Sequence, residues 1–268
     1  MSILRTIQIA QFLDHSLVGG TTRPLLVVGE DGNTYVLKLF SKNDAEQRSY
    51  TVAEVVANLL AKQFDLFVPE AVYMFVSDEL LTFVRENQPE LYELLSQKEV
   101  RGPQFACRYY AALPLYSPTR EDKYLDLHEF ESIFAFDMLI SNDDRRELKP
   151  NILRGSSHYL LIDHEKAFEG LEVVAQNLER GQLPHHYSNH LFYPRLSAQA
   201  QKESNSVNFE TFSEYFRILN LQEITENVRF LIEKGYNEHE CEGWLNYLMH
   251  QKVNYTNFVA LLKQKISE

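Results

Sequence analysis

Asn142-Asp143-Asp144-Arg145-Arg146-Glu147-Leu148-Lys149-Pro150-Asn151-Ile152-Leu153, followed by Leu161-Ile162-Asp163-His164, is the stretch on which the fold turns. Ahead of it, Leu127 to Leu139 carries Phe130, Ile133, Phe134 and Met138 at helical spacing. Residues 141–150 are polar and are expected to form a solvated loop, not a core element. Asn151 to Leu153 and Tyr159 to Ile162 read as two short strands around a Gly155-Ser156-Ser157 turn. A hairpin brings its outer ends together, so Asn151 and Asp163 can converge on one ion.

Asp144 thus sits in a polar loop after a helix, Asn151 follows at the start of a strand, and Asp163 ends the next strand. Phosphoryl transfer from a nucleotide needs placed groups more than covalent chemistry: a carboxylate to orient the attacking hydroxyl, hard oxygen ligands for Mg²⁺, and a cation on the phosphates. Asp, then Asn, then Asp after an apolar strand is the order of a kinase catalytic loop and its metal-binding aspartate. Taken singly, each of these residues is more often only a solvated loop residue; the joint spacing carries the weight.

Upstream, Leu25 to Val28, the Asp31-Gly32 turn and Thr34 to Phe40 form a hairpin, with Tyr35, Leu37 and Leu39 on one face and Thr34, Val36 and Lys38 on the other. A helix is expected over Thr51 to Phe64, with Val52, Val55, Val56, Leu59 and Leu60 as its apolar stripe. Glu54 lies instead with Ala57 and Ala61, and is the candidate partner for Lys38. Before the hairpin, Gly19, Gly20, Thr21 and Thr22 can bring backbone N–H groups and hydroxyls to a phosphate, a weak signal by itself. Phe67 to Phe75 reads as a loop entering a strand, and Phe105 to Leu115 as a connection between lobes. Amphipathic helices are expected near Phe209 to Leu219, Ile224 to Glu233, Glu240 to Met249 and Thr256 to Ile266. A β-rich start and a helical finish predict an α+β chain of two lobes, divided as 1–116 and 117–268.

The net charge of −12 argues against a broad nucleic-acid footprint and, more weakly, against an anionic lipid substrate. No apolar run reaches the ~20 residues of a membrane helix, and Met1 to Leu13 lacks the pattern of a secretory leader. Two cysteines, Cys107 and Cys241, do not make a disulfide framework, so a cytoplasmic protein is expected. His185, His186 and His190 lie among aromatics; with no cysteine or matched carboxylate, a structural or substrate-facing role is favoured over a metal site. Trp244 is expected in a helix core. Arg145 and Lys149 can either balance phosphate charge or offset the acidic loop, and Ser156 and Ser157 either accept a modification or make turn hydrogen bonds.

With these residues in place, the sequence resembles the HipA-like kinases, bacterial members of the protein-kinase-like and phosphoinositide-kinase-like folds. The matching stretches are Gly19 to Pro24, Asp31-Gly32 with Tyr35 to Lys38, Glu54 through Leu60-Ala61 to Val68-Pro69-Glu70, Asn142 to Leu153, and Tyr159 to Phe168. The resemblance implies a bilobal kinase fold using ATP and Mg²⁺, with Lys38 on the phosphates, Asp144 as catalytic base, and Asn151 and Asp163 on the metal. It implies a hydroxyl acceptor, Ser or Thr of a protein, and an antitoxin-type protein as a conceivable partner. Three features depart from the pattern. Asp163-His164-Glu165 stands where ordinary protein kinases have Asp-Phe-Gly, the loop lacks His-Arg-Asp, and the chain is shorter than full HipA-type toxins, which puts a toxin role in doubt. The alternatives are a pseudokinase or nucleotide-dependent interaction module, and a small-molecule kinase on the same fold.

Overall fold

The computed structural model describes residues 3–16, 24–41, 44, 47–97, 101–117, 127–155, 159–202 and 206–268. The loop expected at Gly19, Gly20, Thr21 and Thr22 and the turn at Ser156 and Ser157 lie outside those residues. In chain order the elements are β1 (Thr6–Ser16), β2 (Leu25–Gly29), β3 (Thr34–Lys38), α1 (Tyr50–Gln63), β4 (Ala71–Phe75), α2 (Asp78–Asn87), α3 (Pro89–Gln97) and β5 (Gln104–Arg108). There follow α4 (Leu127–Leu139), β6 (Ile152–Arg154), β7 (Tyr159–Leu161), α5 (Leu171–Glu179), α6 (Tyr193–Lys202), α7 (Glu210–Ile218), α8 (Gln222–Glu233), α9 (Glu238–Val253) and α10 (Tyr255–Ser267). The chain forms two compact units, one of Met1–Val56, Pro69–Ala112 and Glu223–Cys241, the other of Ala57–Val68, Leu113–Gln222 and Glu242–Glu268. Neither unit is one continuous stretch.

The first unit is built on a closed barrel in the order β1-β2-β3-β5-β4. β2 and β3 make the expected Asp-Gly hairpin, with Val28 paired to Thr34 and Leu25 to Leu37. Every neighbouring pair is antiparallel except β1 with β4, where Ile7 pairs with Met74. Alternate residues point inward, as a period of two requires: Ile7 and Ile9, Leu25 and Val27, Tyr35 and Leu37, Val72 and Met74 form one buried cluster. Val84 of α2 and Leu95 of α3 join that cluster. Fully burying a side chain such as Leu37 contributes about 1.5–3 kcal/mol. On the outer face of β4, the Tyr73 ring packs against Phe230 of α8. The Asn227 carboxamide oxygen there accepts both the Tyr73 hydroxyl and the Leu4 N–H.

One expectation is corrected here. Gln104 to Arg108 is not part of a connection; it is strand β5, pairing with β3 and β4 at once. Its apolar Phe105-Ala106-Cys107 core is too short to announce a strand without its partners.

The second unit is helical around the β6–β7 hairpin, in which Ile152 pairs with Leu161. Leu115 adds an isolated antiparallel bridge to Leu153. The core is aromatic: Phe64 stacks on Phe212 at 4.5 Å and meets Phe136 and Phe216 edge-on. Trp244 is buried as expected and stacks on Phe168 at 4.8 Å. The four C-terminal helices fall where their periodicity places them. Among the described residues, no helix is long and apolar enough to cross a membrane.

Candidate active site

In the first unit, β3 carries Lys38 and α1 carries Glu54, and the two side chains form a buried ion pair. Lys38 ends its strand on the face opposite Tyr35 and Leu37. Glu54 lies one turn into α1, whose residues 50–61 are all buried. A charge that leaves water must find a partner, and each of these has the other.

In the second unit, β6–β7 pairing sets the other candidates. Ile162 N–H donates to the Asn151 carbonyl at 3.0 Å, which closes the open end of the hairpin and puts Asn151 and Asp163 at its mouth. Asp144 lies against Asn151: the Asn151 amide nitrogen donates to Asp144 Oδ2 at 3.4 Å. Lys149 donates to that same Oδ2 and lies 3.3 Å from Asp163 Oδ2. Arg146 reaches Asp144 Oδ1 at 3.4 Å. Asp144, Asn151 and Asp163 are therefore brought together, with the ammonium of Lys149 between two carboxylates. Burial pulls the Lys149 ammonium down, but its hydrogen bond to Asp144 and the charges of Asp163 and Asp144 outweigh this and raise it above the ordinary lysine value.

The backbone is unusual where these side chains sit. Ser141, Asn151, Asp163 and Phe168 all have positive φ, at 54°, 50°, 63° and 66°. Residues held in that region cost about 1–3 kcal/mol each unless the surroundings fix them. Asn and Asp tolerate it best. Phe168 does not, and its N–H is pinned to the Ile140 carbonyl at 2.7 Å.

The expectation of an exposed loop over 141–150 is corrected in part: Ser141, Asn142, Asp144 and Arg145 are buried. The physical reason is Asp137 on α4, a carboxylate with no exposure. Arg145 donates to it through Nε at 2.5 Å, and Asn142 through its amide at 2.9 Å. A polar loop can enter the core when its charges are paired there. Arg145 is accordingly unavailable to a phosphate. Asp137 could have been noticed as one acid inside the apolar run Ile133 to Ile140.

His186 and His190 do not share a helix turn, since Tyr187–Asn189 between them is a short 3₁₀ helix. His190 bonds to Asp137 at 2.9 Å.

The sequence matches the HipA-like kinase family over residues 9–218. The chain belongs to that family. It is a kinase by class, and its fold is protein-kinase-like. Among solved structures it is similar to CtkA, a Helicobacter pylori proinflammatory kinase, at 11% identity and TM-score 0.56, over 98% of this chain and 97% of that one. A Golgi casein kinase with Mn/ADP bound aligns at 11% identity and TM-score 0.47, over 100% of this chain and 75% of that one. No curated protein sequence matches.

Proposed function

We propose that the chain is an ATP- and Mg²⁺-dependent kinase that transfers the γ-phosphate to a hydroxyl, that of a Ser or Thr in a protein. The observation that carries this is the chain of contacts from Asn151 to Asp144, from Asp144 to Lys149 and from Lys149 to Asp163 at the mouth of one hairpin. The donor set suits the group: a carboxylate and a carboxamide oxygen are hard ligands of the kind Mg²⁺ takes. Asn151 spends its amide nitrogen on Asp144, so Oδ1 is the atom it can offer a cation.

When bound, Mg²⁺ neutralises charge on the phosphate oxygens. The chain supplies the rest. Asp144 orients the acceptor hydroxyl and takes its proton on a carboxylate oxygen. Asn151 and Asp163 would hold the metal, and Lys38, oriented by Glu54, would hold the nucleotide phosphates. Lys149 keeps the Asp144 and Asp163 carboxylates at one spacing. Gly19, Gly20, Thr21 and Thr22 are assigned to the phosphates on their residue types, two glycines and two hydroxyls in a stretch that also matches the family. The family resemblance supports a protein acceptor. Cys107 and Cys241 are thiols, not a disulfide, which suits a reducing cytoplasm.

The test is a thermal shift with ATP plus Mg²⁺ on wild type and Asp163→Ala, because a ligand bound only to the native state raises Tm. Wild type should shift and the variant should not. In parallel, Asp144→Asn should bind ATP normally while losing about 10²- to 10⁴-fold in transfer, the range of a general base. No shift in wild type, or full activity in Asp144→Asn, would sink the assignment.

A further inference from the structure

Arg145 has five N–H donors, and all five are used. Nε and one Nη2 hydrogen go to Asp137. Nη1 donates to the carbonyls of Pro150, at 3.3 Å, and Asn151, at 2.5 Å. The remaining Nη2 hydrogen goes to His164 Nε2 at 3.1 Å. A guanidinium only donates, so His164 accepts there and carries its proton on Nδ1.

This one fully buried group thus touches Asn151 itself and the neighbour of Asp163, and it is the chain neighbour of Asp144. Behind the direct contacts that Asn151 and Lys149 make to Asp144, it ties the backbones that carry the three proposed site residues to one buried group. Its fork is aimed by Asp137, whose Oδ2 accepts from Arg145 Nε and from His190 Nε2. His190 in turn is fixed from behind: its Nδ1 accepts the Phe192 N–H at 3.2 Å, so Nε2 carries the proton that goes to Asp137. Its ring lies edge-on to Phe134 at 5.1 Å. The Leu191 N–H donates to the Arg145 carbonyl at 3.0 Å, so the same segment holds α4 through Asp137 and the loop through Arg145.

We infer that His190, through Asp137 and Arg145, is a positioning residue for phosphoryl transfer: it sets the spacing of Asp144, Asn151 and Asp163 without touching any reactant. This rests on the roles proposed above for those three residues. Misplacing reacting groups by about 1 Å costs on the order of 10²-fold in rate, so a residue remote from the chemistry can control kcat.

The experiment compares His190→Gln, whose amide can still donate to Asp137, with His190→Phe, which fills the ring's space and donates nothing. Steady-state kinetics and backbone hydrogen exchange are read on both. The Phe variant should lose about 10- to 100-fold in kcat, with KM for ATP within about twofold. Exchange should quicken in 142–151 and 162–165 and stay unchanged in α10. The Gln variant should regain most of both. If the Phe variant does not fold, Arg145→Lys serves instead: it keeps a cation by Asp137 but cannot span both carbonyls, and the same kinetic and exchange losses are expected. Unchanged exchange in the two segments, or a uniform rise across the helices, overturns the inference and makes His190 a core residue only. If wild type transfers no phosphate, the kinase reading fails, and the exchange result still decides the positioning.

Discussion

Lys149 Nζ lies 3.3 Å from Asp163 Oδ2 while it hydrogen-bonds Asp144, so one half-exposed ammonium spans the proposed base and the proposed metal ligand. A cation in that place does two opposing things. It holds the carboxylates at a fixed spacing, and it competes for them with any other cation. Lys149→Met should therefore slow transfer and at the same time strengthen binding of Mg²⁺ alone. Because the side chain is part-exposed, the pair is worth about 1 kcal/mol, or about fivefold in Mg²⁺ affinity. Titration calorimetry without nucleotide measures it; weaker Mg²⁺ binding in the variant would mean that Lys149 supports the metal site and does not compete with it.

The buried pair of Lys38 and Glu54 behaves differently, since both side chains are nearly inaccessible. Removing one partner strands the other charge. Lys38→Met and Glu54→Gln should each destabilise the fold, and Lys38→Met, which leaves a buried carboxylate, by about 3–5 kcal/mol. Lys38→Met/Glu54→Gln should lose less than the sum of the singles, because no charge is left alone. Urea melts of the four proteins give the coupling; strict additivity would mean the two side chains are energetically independent. Loss of ATP binding in the double variant, despite recovered stability, separates the role of Lys38 toward nucleotide from its role in the fold.

Gly29 shows a tighter constraint in the barrel wall. A Cβ built there would lie 2.8 Å from Ile7 Cγ2, 3.0 Å from Asp31 Oδ1 and 3.2 Å from the Met74 methyl. Met74 can swing its methyl aside, but the branched Ile7 is held by its pairing with Met74 across β1 and β4. Gly29→Ala should cost about 1–3 kcal/mol. The Ile7→Ala background should reduce that penalty by making room. An equal penalty in both backgrounds would place the strain at Asp31 and the hairpin turn.

What could be read from the chain and what could not divide along physical lines. The β2–β3 and β6–β7 hairpins were legible because Asp31-Gly32 and the alternation around it are local signals. So was the placement of Lys38 beside Glu54, and of Asp144, Asn151 and Asp163 near one another, since their spacing follows from those hairpins and from one helix. Strand β1, eleven residues long, passed unnoticed, since its partners lie in β2 and, by a parallel ladder, in β4. The burial of Arg145 was hidden for a related reason. Polar composition normally means solvent, and the acid that reverses this belongs to the preceding helix. His190 was the least accessible of all, because its bond to Asp137 closes a separation of 53 residues, and no local pattern encodes such a contact.

His186 and His190, both buried, make stability depend on pH in a fixed direction. Burial, with the nearby charges of His185 and His190, outweighs the attraction of Asp143 and Asp137 and lowers the His186 imidazole to about 4. His186 Nε2 is buried, with no hydrogen-bond partner among the described residues. Burial also lowers His190, against the pull of its bond to Asp137. In each case the folded protein takes up a proton less readily than the unfolded chain, whose histidines titrate near ~6.5. The contribution of His186 is therefore complete above about pH 6.5 and is lost as pH falls toward about 4, and that of His190 is lost in the same direction as pH falls below about 6.5. Asp137, also depressed, chiefly by Arg145 and His190 against its burial, adds to the loss only below the ordinary carboxylate range near ~3.9. Wild-type Tm should be nearly flat between about pH 7 and 8 and should fall between about 6.5 and 4. His186→Gln removes one of the two groups, so its Tm should fall less over the same interval. A variant with the wild-type slope would show that His186 gains its proton without unfolding, and that the space around it admits water.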